Sequence, residues 1–268
     1  MPRVKVNDVN LYYEMHGPEE AEMLVLSNGI LMSTASWAFQ VPVIARHYRL
    51  LLYDCRGMWQ SDHPPGPYTM EQHADDLAGL LDALGIPWAH IGGISYGGEI
   101  SMVFALRYPE RTRSLIVADA VSHVEPMLRT VVEGWIAAAR TGEARAFFSA
   151  TVPWNFSARF IREHPDLMAQ ALERYALLDY PAVIRLCEAF LNLNITDRLG
   201  EIRAPTCVIV GEEDILKGRA FAEEIAHRIP GAELHIIPRA GHATCWEQPQ
   251  VFNSILLGFL TKNSAKGR

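Results

Sequence analysis

"GGISYGGEI", residues 92–100, sets one serine, Ser95, among glycines at 92, 93, 97 and 98, directly after an apolar stretch. Glycine weakens strands and helices alike, so four of them around one hydroxyl imply a backbone driven where only glycine goes easily. The flanks supply a reason. "AHIGG" (89–93) reads as a buried strand, and "GGEISMVFALRYP" (97–109) as a helix that Pro109 stops. GxSxG between a strand and a helix is the nucleophile elbow, a sharp turn that lifts the serine hydroxyl above the strand ends. Gly93 and Gly97 are expected to avoid collisions within that turn, and Gly98 to let the helix pack closely. At average glycine and serine usage the motif arises by chance in about one chain in ten of this length, so the neighbouring elements decide its meaning.

Short β-rich runs alternate with helical patterns on both sides of the elbow. Towards the N-terminus, "VKV" (4–6) and "LYYEM" (11–15) read as a hairpin, and "MLVLS" (23–27) and "YRLLLYD" (48–54) as central strands covered on both faces. In "TMEQHADDLAGLLDALG" (69–85), Thr69 is a fair N-cap, Leu77, Leu80, Leu81 and Leu84 recur at helical spacing, and Gly85 ends the helix. After the elbow helix comes a strand, "SLIVAD" (114–119), and then the alternation breaks: from 122 to 197 the pattern is helical only. It resumes with strand "TCVIVG" (206–211), helix "RAFAEEIAHRI" (219–229), strand "AELHIIP" (232–238) and helix "QPQVFNSILLGFL" (248–260). The expected fold is α/β: a mostly parallel, doubly wound sheet with a helical cap inserted after the sixth strand. The expected divisions are a core of 1–121 and 198–262, a cap of 122–197 and a flexible tail of 263–268.

The bulk numbers exclude several other classes. A chain of 268 residues, 49% hydrophobic, can bury a sizeable core, and its net charge of −7 is the wrong sign for a phosphate-binding face. No nucleic-acid partner is expected. The opening "MPRVKVNDVN" lacks the layout of a signal peptide, and no apolar run is long enough for a membrane span, so a cytoplasmic location is expected. Cys55, Cys187, Cys207 and Cys245 are widely spaced and read as buried free thiols. The histidines show no HxxxH or HExxH spacing and the glycines no GxGxxG or Walker loop, so neither a metal nor a nucleotide cofactor is expected.

A serine hydroxyl needs a base, and the base an orienting acid. His242, in "RAGHATCWEQP", and Asp214, in "GEED", each follow a strand and so lie at the sheet edge where open α/β sheets place their sites. Glu212, Glu213 and, after "SLIVA", Asp119 are the alternative acids. The chain order Ser, Asp, His is that of the α/β-hydrolases. With "VLSNGI", "LLYDCRG" and "GPYTMEQHADDL" the chain resembles that superfamily, and within it 3-oxoadipate enol-lactonases and related small esterases, from about residue 4 to 261. "NGILMSTASW" is also similar to an acyltransferase of rhamnolipid synthesis.

The resemblance implies an oxyanion hole made of the backbone amides of Ile30 and Tyr96. Asn28-Gly29 stands where many relatives have His-Gly, and Met58-Trp59 replaces the His-Gly usual after Arg56-Gly57, which makes that loop bulkier and a candidate pocket wall. Trp59, Trp135, Trp154 and Tyr175 are the expected pocket residues. The expected activity is that of a serine hydrolase on a small-molecule carboxylic ester or lactone, through an acyl-enzyme on Ser95 with His242 as base and Asp214 as acid. An apolar cap without an evident basic cluster points to uncharged acyl esters. Acyl transfer by the same residues, or a ligand receptor on a hydrolase scaffold, are the alternatives; oligomeric state is not legible.

Overall fold

The computed structural model describes residues 2–264. In chain order the elements are β1 (Arg3–Val6), β2 (Val9–His16), β3 (Met23–Ser27), α1 (Val41–Ile44), β4 (Arg49–Tyr53), α2 (Met70–Ala83), β5 (Ala89–Ile94), α3 (Tyr96–Arg107) and β6 (Thr112–Ala118). Five helices follow: α4 (Pro126–Arg140), α5 (Ala144–Asn155), α6 (Ala158–Glu163), α7 (Pro165–Tyr175) and α8 (Tyr180–Leu191). The chain closes with β7 (Thr206–Gly211), α9 (Arg219–Arg228), β8 (Glu233–Ile237), α10 (Thr244–Glu247) and α11 (Pro249–Asn263).

The eight strands form one sheet in the order β1-β2-β4-β3-β5-β6-β7-β8. β2 pairs antiparallel with β1 and β4, and every other pairing is parallel. Parallel strands need crossovers that cover both faces, and the alternation of side chains shows the result. Val25, Leu51 and Val208 join one core with Leu77 and Leu81 of α2 and Phe104 of α3, while Leu24, Leu26 and Leu52 join the other with Ile44 of α1 and Phe252 and Leu256 of α11. A polar residue here needs a partner of its own, as buried His90 of β5 and Ser114 of β6 find in each other (2.7 Å), so these strands read as largely apolar runs.

The helix expected at 69–85 forms, with the Gln72 amide donating to Thr69 Oγ1 (3.0 Å) and Gly85 at φ +68° past its end. The last helix runs three residues further than its apolar pattern. Nothing in "TKN" breaks it, and Asn263 Nδ2 and Ser264 Oγ donate to the carbonyls of Phe259 and Leu260 (2.9 and 3.0 Å), satisfying its final turn. Of the tail expected at 263–268, Asn263 is therefore helical, and 265–268 lie outside the described residues.

α4 to α8 lie between β6 and β7, so their chain leaves the sheet at the carboxyl end of β6 and re-enters it at the amino end of β7. Leu128, Val132 and Trp135 of α4 and Val183 and Leu186 of α8 belong to the same buried cluster as the sheet face. Ser157, the N-cap of α6, donates through its amide (3.0 Å) and its hydroxyl to Glu247 of α10, fastening the helical segment to the loop after β8. Among the described residues no helix is long and apolar enough to cross a membrane.

Candidate active site

Ser95 joins β5 to α3 at φ +53° and ψ −121°, a conformation that costs an L-residue energy and persists only where its surroundings dictate it. Two contacts do so. A Cβ on Gly93 would come within 2.3 Å of the Gly97 carbonyl carbon, inside the turn, as expected. A Cβ on Gly97 would instead meet the Ser27 carbonyl oxygen of β3 at 2.0 Å, so this glycine answers to the neighbouring strand rather than to the turn. A Cβ on Gly98 would reach 2.8 Å from the Ala120 side chain, so its absence sets the helix close behind β6.

Three side chains from three strand ends meet at this turn. His242 Nε2 lies 2.9 Å from Ser95 Oγ, and His242 Nδ1 lies 2.8 Å from Asp214 Oδ2. The other Asp214 oxygen accepts the amides of Leu216 (2.8 Å) and Lys217 (2.9 Å), which fixes the carboxylate plane. Burial pushes the Asp214 carboxyl up, but His242 and the two amides outweigh it and hold the group below its ordinary range. Asp119 does not reach the imidazole by a hydrogen bond. Its oxygens accept Thr244 Oγ1 and the Gly211 amide (3.0 Å), and burial beside Asp214 raises its pKa well above the usual carboxylate range.

Tyr96 follows Ser95 in the chain and Ile30 lines the same cavities, and among the described residues neither amide donates to another group; Tyr96 opens α3, where the first N–H groups have no helical partner. Asn28 braces the Ile30 loop, donating to Tyr53 O (3.0 Å) and Asp54 Oδ1 (3.1 Å) and accepting from Trp37 Nε1 (2.8 Å). Asp54 also takes the Thr34 and Gln60 amides, and burial lifts it to about 6. Behind Tyr96, its hydroxyl lies 2.8 Å from His73 Nε2; burial, helped by the Arg56 charge, pulls His73 down to about 3, so that ring is neutral.

A cavity of about 240 Å³ opens onto Ser95 and His242 between the sheet edge and α5 and α7. Trp59 and Tyr175 line it, together with Ile30, Met32, Met168 and Trp246. Among the described residues Arg174 is the one formally charged residue lining it, with its guanidinium 4.6 Å from the Trp59 ring centroid and donating to Ser33 Oγ (3.1 Å). Thus a single cation faces the cavity, where the expectation was a cap without an evident basic cluster.

Trp135 lines a second, much smaller chamber of about 20 Å³ that also reaches Ser95, with Tyr96, Phe190 and Lys217. Trp154 lines neither chamber. It lies two residues beyond Val152, about 200° around the helix, and packs into the main core, while Val152 and Asn155 face the cavity. Sequence reasoning also passed over Lys217, whose Nζ lies 3.3 Å from Ser95 Oγ. Its signal was only proximity in sequence to Asp214. Among the described residues no group of three or more His, Cys, Asp or Glu side chains is arranged to hold a metal ion.

A family model described as "alpha/beta hydrolase fold" matches residues 22–249. A protein named "Putative carbamate hydrolase RutD" from Azorhizobium caulinodans is 30% identical over 262 residues, covering 97% of this chain and 98% of its own. Among solved structures, an alpha/beta hydrolase enzyme from a Medee basin deep-sea metagenome library superposes with a TM-score of 0.93 at 31% identity, covering 100% of both chains. The enol-lactonase from Burkholderia xenovorans LB400 does so with a TM-score of 0.92 at 30% identity, over 97% of this chain and 100% of its own.

Proposed function

The chain belongs to the alpha/beta hydrolase fold family, and on that premise we propose that it is a serine hydrolase that cleaves a carboxylic ester or lactone through an acyl-enzyme on Ser95. The observation that carries this reading is the unbroken hydrogen-bonded chain Ser95–His242–Asp214, 2.9 and 2.8 Å long, at the floor of a largely apolar cavity. Asp214 holds the proton on Nδ1, which leaves the Nε2 lone pair facing the Ser95 hydroxyl. As Oγ adds to the substrate carbonyl its proton passes to Nε2, and Asp214 steadies the imidazolium. The Ile30 and Tyr96 amides receive the oxyanion, a contact whose loss typically slows such reactions by ~100- to 1,000-fold. His242 then protonates the departing alkoxide, and the same imidazole activates the water that clears the acyl group.

The two chambers divide the substrate. A space of about 20 Å³ holds one water-sized group, so the smaller chamber suits only a short substituent of the carbonyl. The cavity of about 240 Å³ takes the larger, mostly apolar half, with room for one anionic group at Arg174. A carbamate, as in the name of the curated relatives, would be attacked by the same residues, but a small one would leave most of that volume empty. A five-helix segment over the site (α4 to α8) acts as its cap.

The test is a panel of aryl esters and simple lactones, each run with wild type and Ser95→Ala, with added alcohols to divide the acyl-enzyme between hydrolysis and transfer. Multiple turnovers by the wild type, none by the variant, and water as the main acceptor are expected. Wild-type rates from Ser95→Ala would overturn the proposal, and a single event per chain would favour a receptor.

A further inference from the structure

Lys217 is buried to 4% exposure, and its ammonium is fully engaged. Nζ donates to both oxygens of Glu99 (2.8 and 3.0 Å) and to Ser95 Oγ (3.3 Å), and sits 4.3 Å from the centroid of the Phe190 ring. An ammonium has three hydrogens and no lone pair. This group is therefore not placed to act as a base, nor does it have a donor to spare for a substrate; its one contact with the proposed chemistry is Oγ.

The pair is held by the same elements that build the site. Glu99 lies four residues after Ser95 on α3, so its side chain points back over the turn that carries the serine. It is wholly buried and also accepts the Val121 amide (3.0 Å). Lys217 follows Asp214 by three residues in a turn closed on the Asp214 carboxylate, and a Cβ on the next residue, Gly218, would come within 2.7 Å of Asp214 O. One short loop thus delivers both the acid for His242 and the ammonium for Ser95. A buried ion pair is weak evidence of stabilisation, because desolvating each ion costs about as much as the pairing returns. Its position against the serine calls for another explanation.

We infer that Lys217 is a further catalytic group, whose ammonium donates to Ser95 Oγ and stabilises the negative charge that this oxygen gathers as it attacks and again as it leaves. The inference rests on Ser95 being the nucleophile. Because Oγ accepts from Lys217, its single hydrogen is directed at His242 Nε2. During acylation the O–H bond breaks, its proton goes to Nε2, and the lone pair that forms the new C–O bond is developed beside the ammonium. In deacylation that C–O bond breaks, Oγ takes the electron pair next to the same ammonium, and it recovers its proton from His242. Glu99 is a positioning residue: it holds Nζ in place and balances its charge, so that the imidazolium formed during each step is not repelled.

The experiment pairs Lys217→Met with Glu99→Gln, removing both charges while keeping chain length and an acceptor for the Val121 amide. With p-nitrophenyl acetate, kcat is expected to fall about 10- to 100-fold, the worth of one hydrogen bond to a charged group, with KM within about threefold. The rate at which a fluorophosphonate labels Ser95 is expected to fall in parallel. Unchanged kcat and labelling in a folded double variant would overturn the inference, as would a loss confined to KM. If Ser95→Ala also retained turnover, the underlying reading would fail; if it were inactive, only the role of Lys217 would. Should the double variant not fold, the wild type gives the answer: the side-chain ¹⁵N signal of Lys217 is expected to shift when Ser95 is phosphonylated, and an unmoved signal would exclude the contact.

Discussion

Replacing Asp214 with asparagine isolates the choice of acid. One carboxylate oxygen accepts the Leu216 and Lys217 amides at 2.8 and 2.9 Å, and the other faces His242 Nδ1 at 2.8 Å. In the variant the amide oxygen must keep the first position, because an NH₂ there would confront two N–H donors. The NH₂ then faces Nδ1, makes it an acceptor, and moves the ring proton to Nε2. That nitrogen would point an N–H at Ser95 Oγ and could not take its proton. A wrong tautomer of this kind costs about 10⁴-fold in kcat, or about 5 kcal/mol. Stability should not fall, since the isostere also removes a charge beside buried Asp119. Single-turnover and steady-state hydrolysis of p-nitrophenyl acetate measure the effect. A loss below about tenfold, with the large loss found in Asp119→Asn instead, would refute the reasoning.

Stability should respond to pH through His73, whose folded pKa of about 3 lies below the ordinary histidine value. The unfolded chain binds this proton first as pH falls from about 6.5, so stability from this group is lost progressively down to about 3; from pH 7 to 5 the loss is about 2 kcal/mol. Compared by urea unfolding at both values, His73→Gln should be less sensitive by that amount, and an equal slope in the two proteins would count against it. Arg56→Ala should cost about 3–5 kcal/mol, because it strands the buried Asp76 carboxylate that accepts from Nε and Nη2 at 2.7 and 3.0 Å. Arg56→Met with Asp76→Leu should recover part of that loss, and no recovery would argue that packing rather than charge was lost. All four thiols are buried, and burial pushes Cys55, Cys187 and Cys207 to about 12, so a disulfide reagent at pH 8 should label none in the folded protein and four in denaturant.

What the sequence made legible follows from what one stretch of chain must satisfy by itself. "MLVLS" and "TCVIVG" form β3 and β7 with the bounds read from them, since strands buried on both faces are nearly all apolar, and their polar residues, Ser27 and Thr206, stand at strand ends with hydrogen-bond partners. Ser95, His242 and Asp214 could be named because each follows a strand end that already stood out. Features that depend on partners from distant elements could not be read. Lys217 is one lysine in a loop, and only Glu99, 118 residues away, makes its burial tolerable. The stacking of Arg174 on Trp59 joins α7 to the loop after β4, and nothing near either residue announces it. Trp135 and Trp154 looked alike as aromatic residues of helices; the phase of α5 turns the second away from the cavity.

The most direct test is to quench the turnover of an activated ester in acid within its pre-steady-state burst and map the modified peptides by mass. The acyl group is expected on the peptide holding Ser95, in up to one equivalent per chain, and absent from Ser95→Ala. An acyl group found on another residue, or hydrolysis at full rate with no covalent species and no need of the residue 95 hydroxyl, would contradict the account.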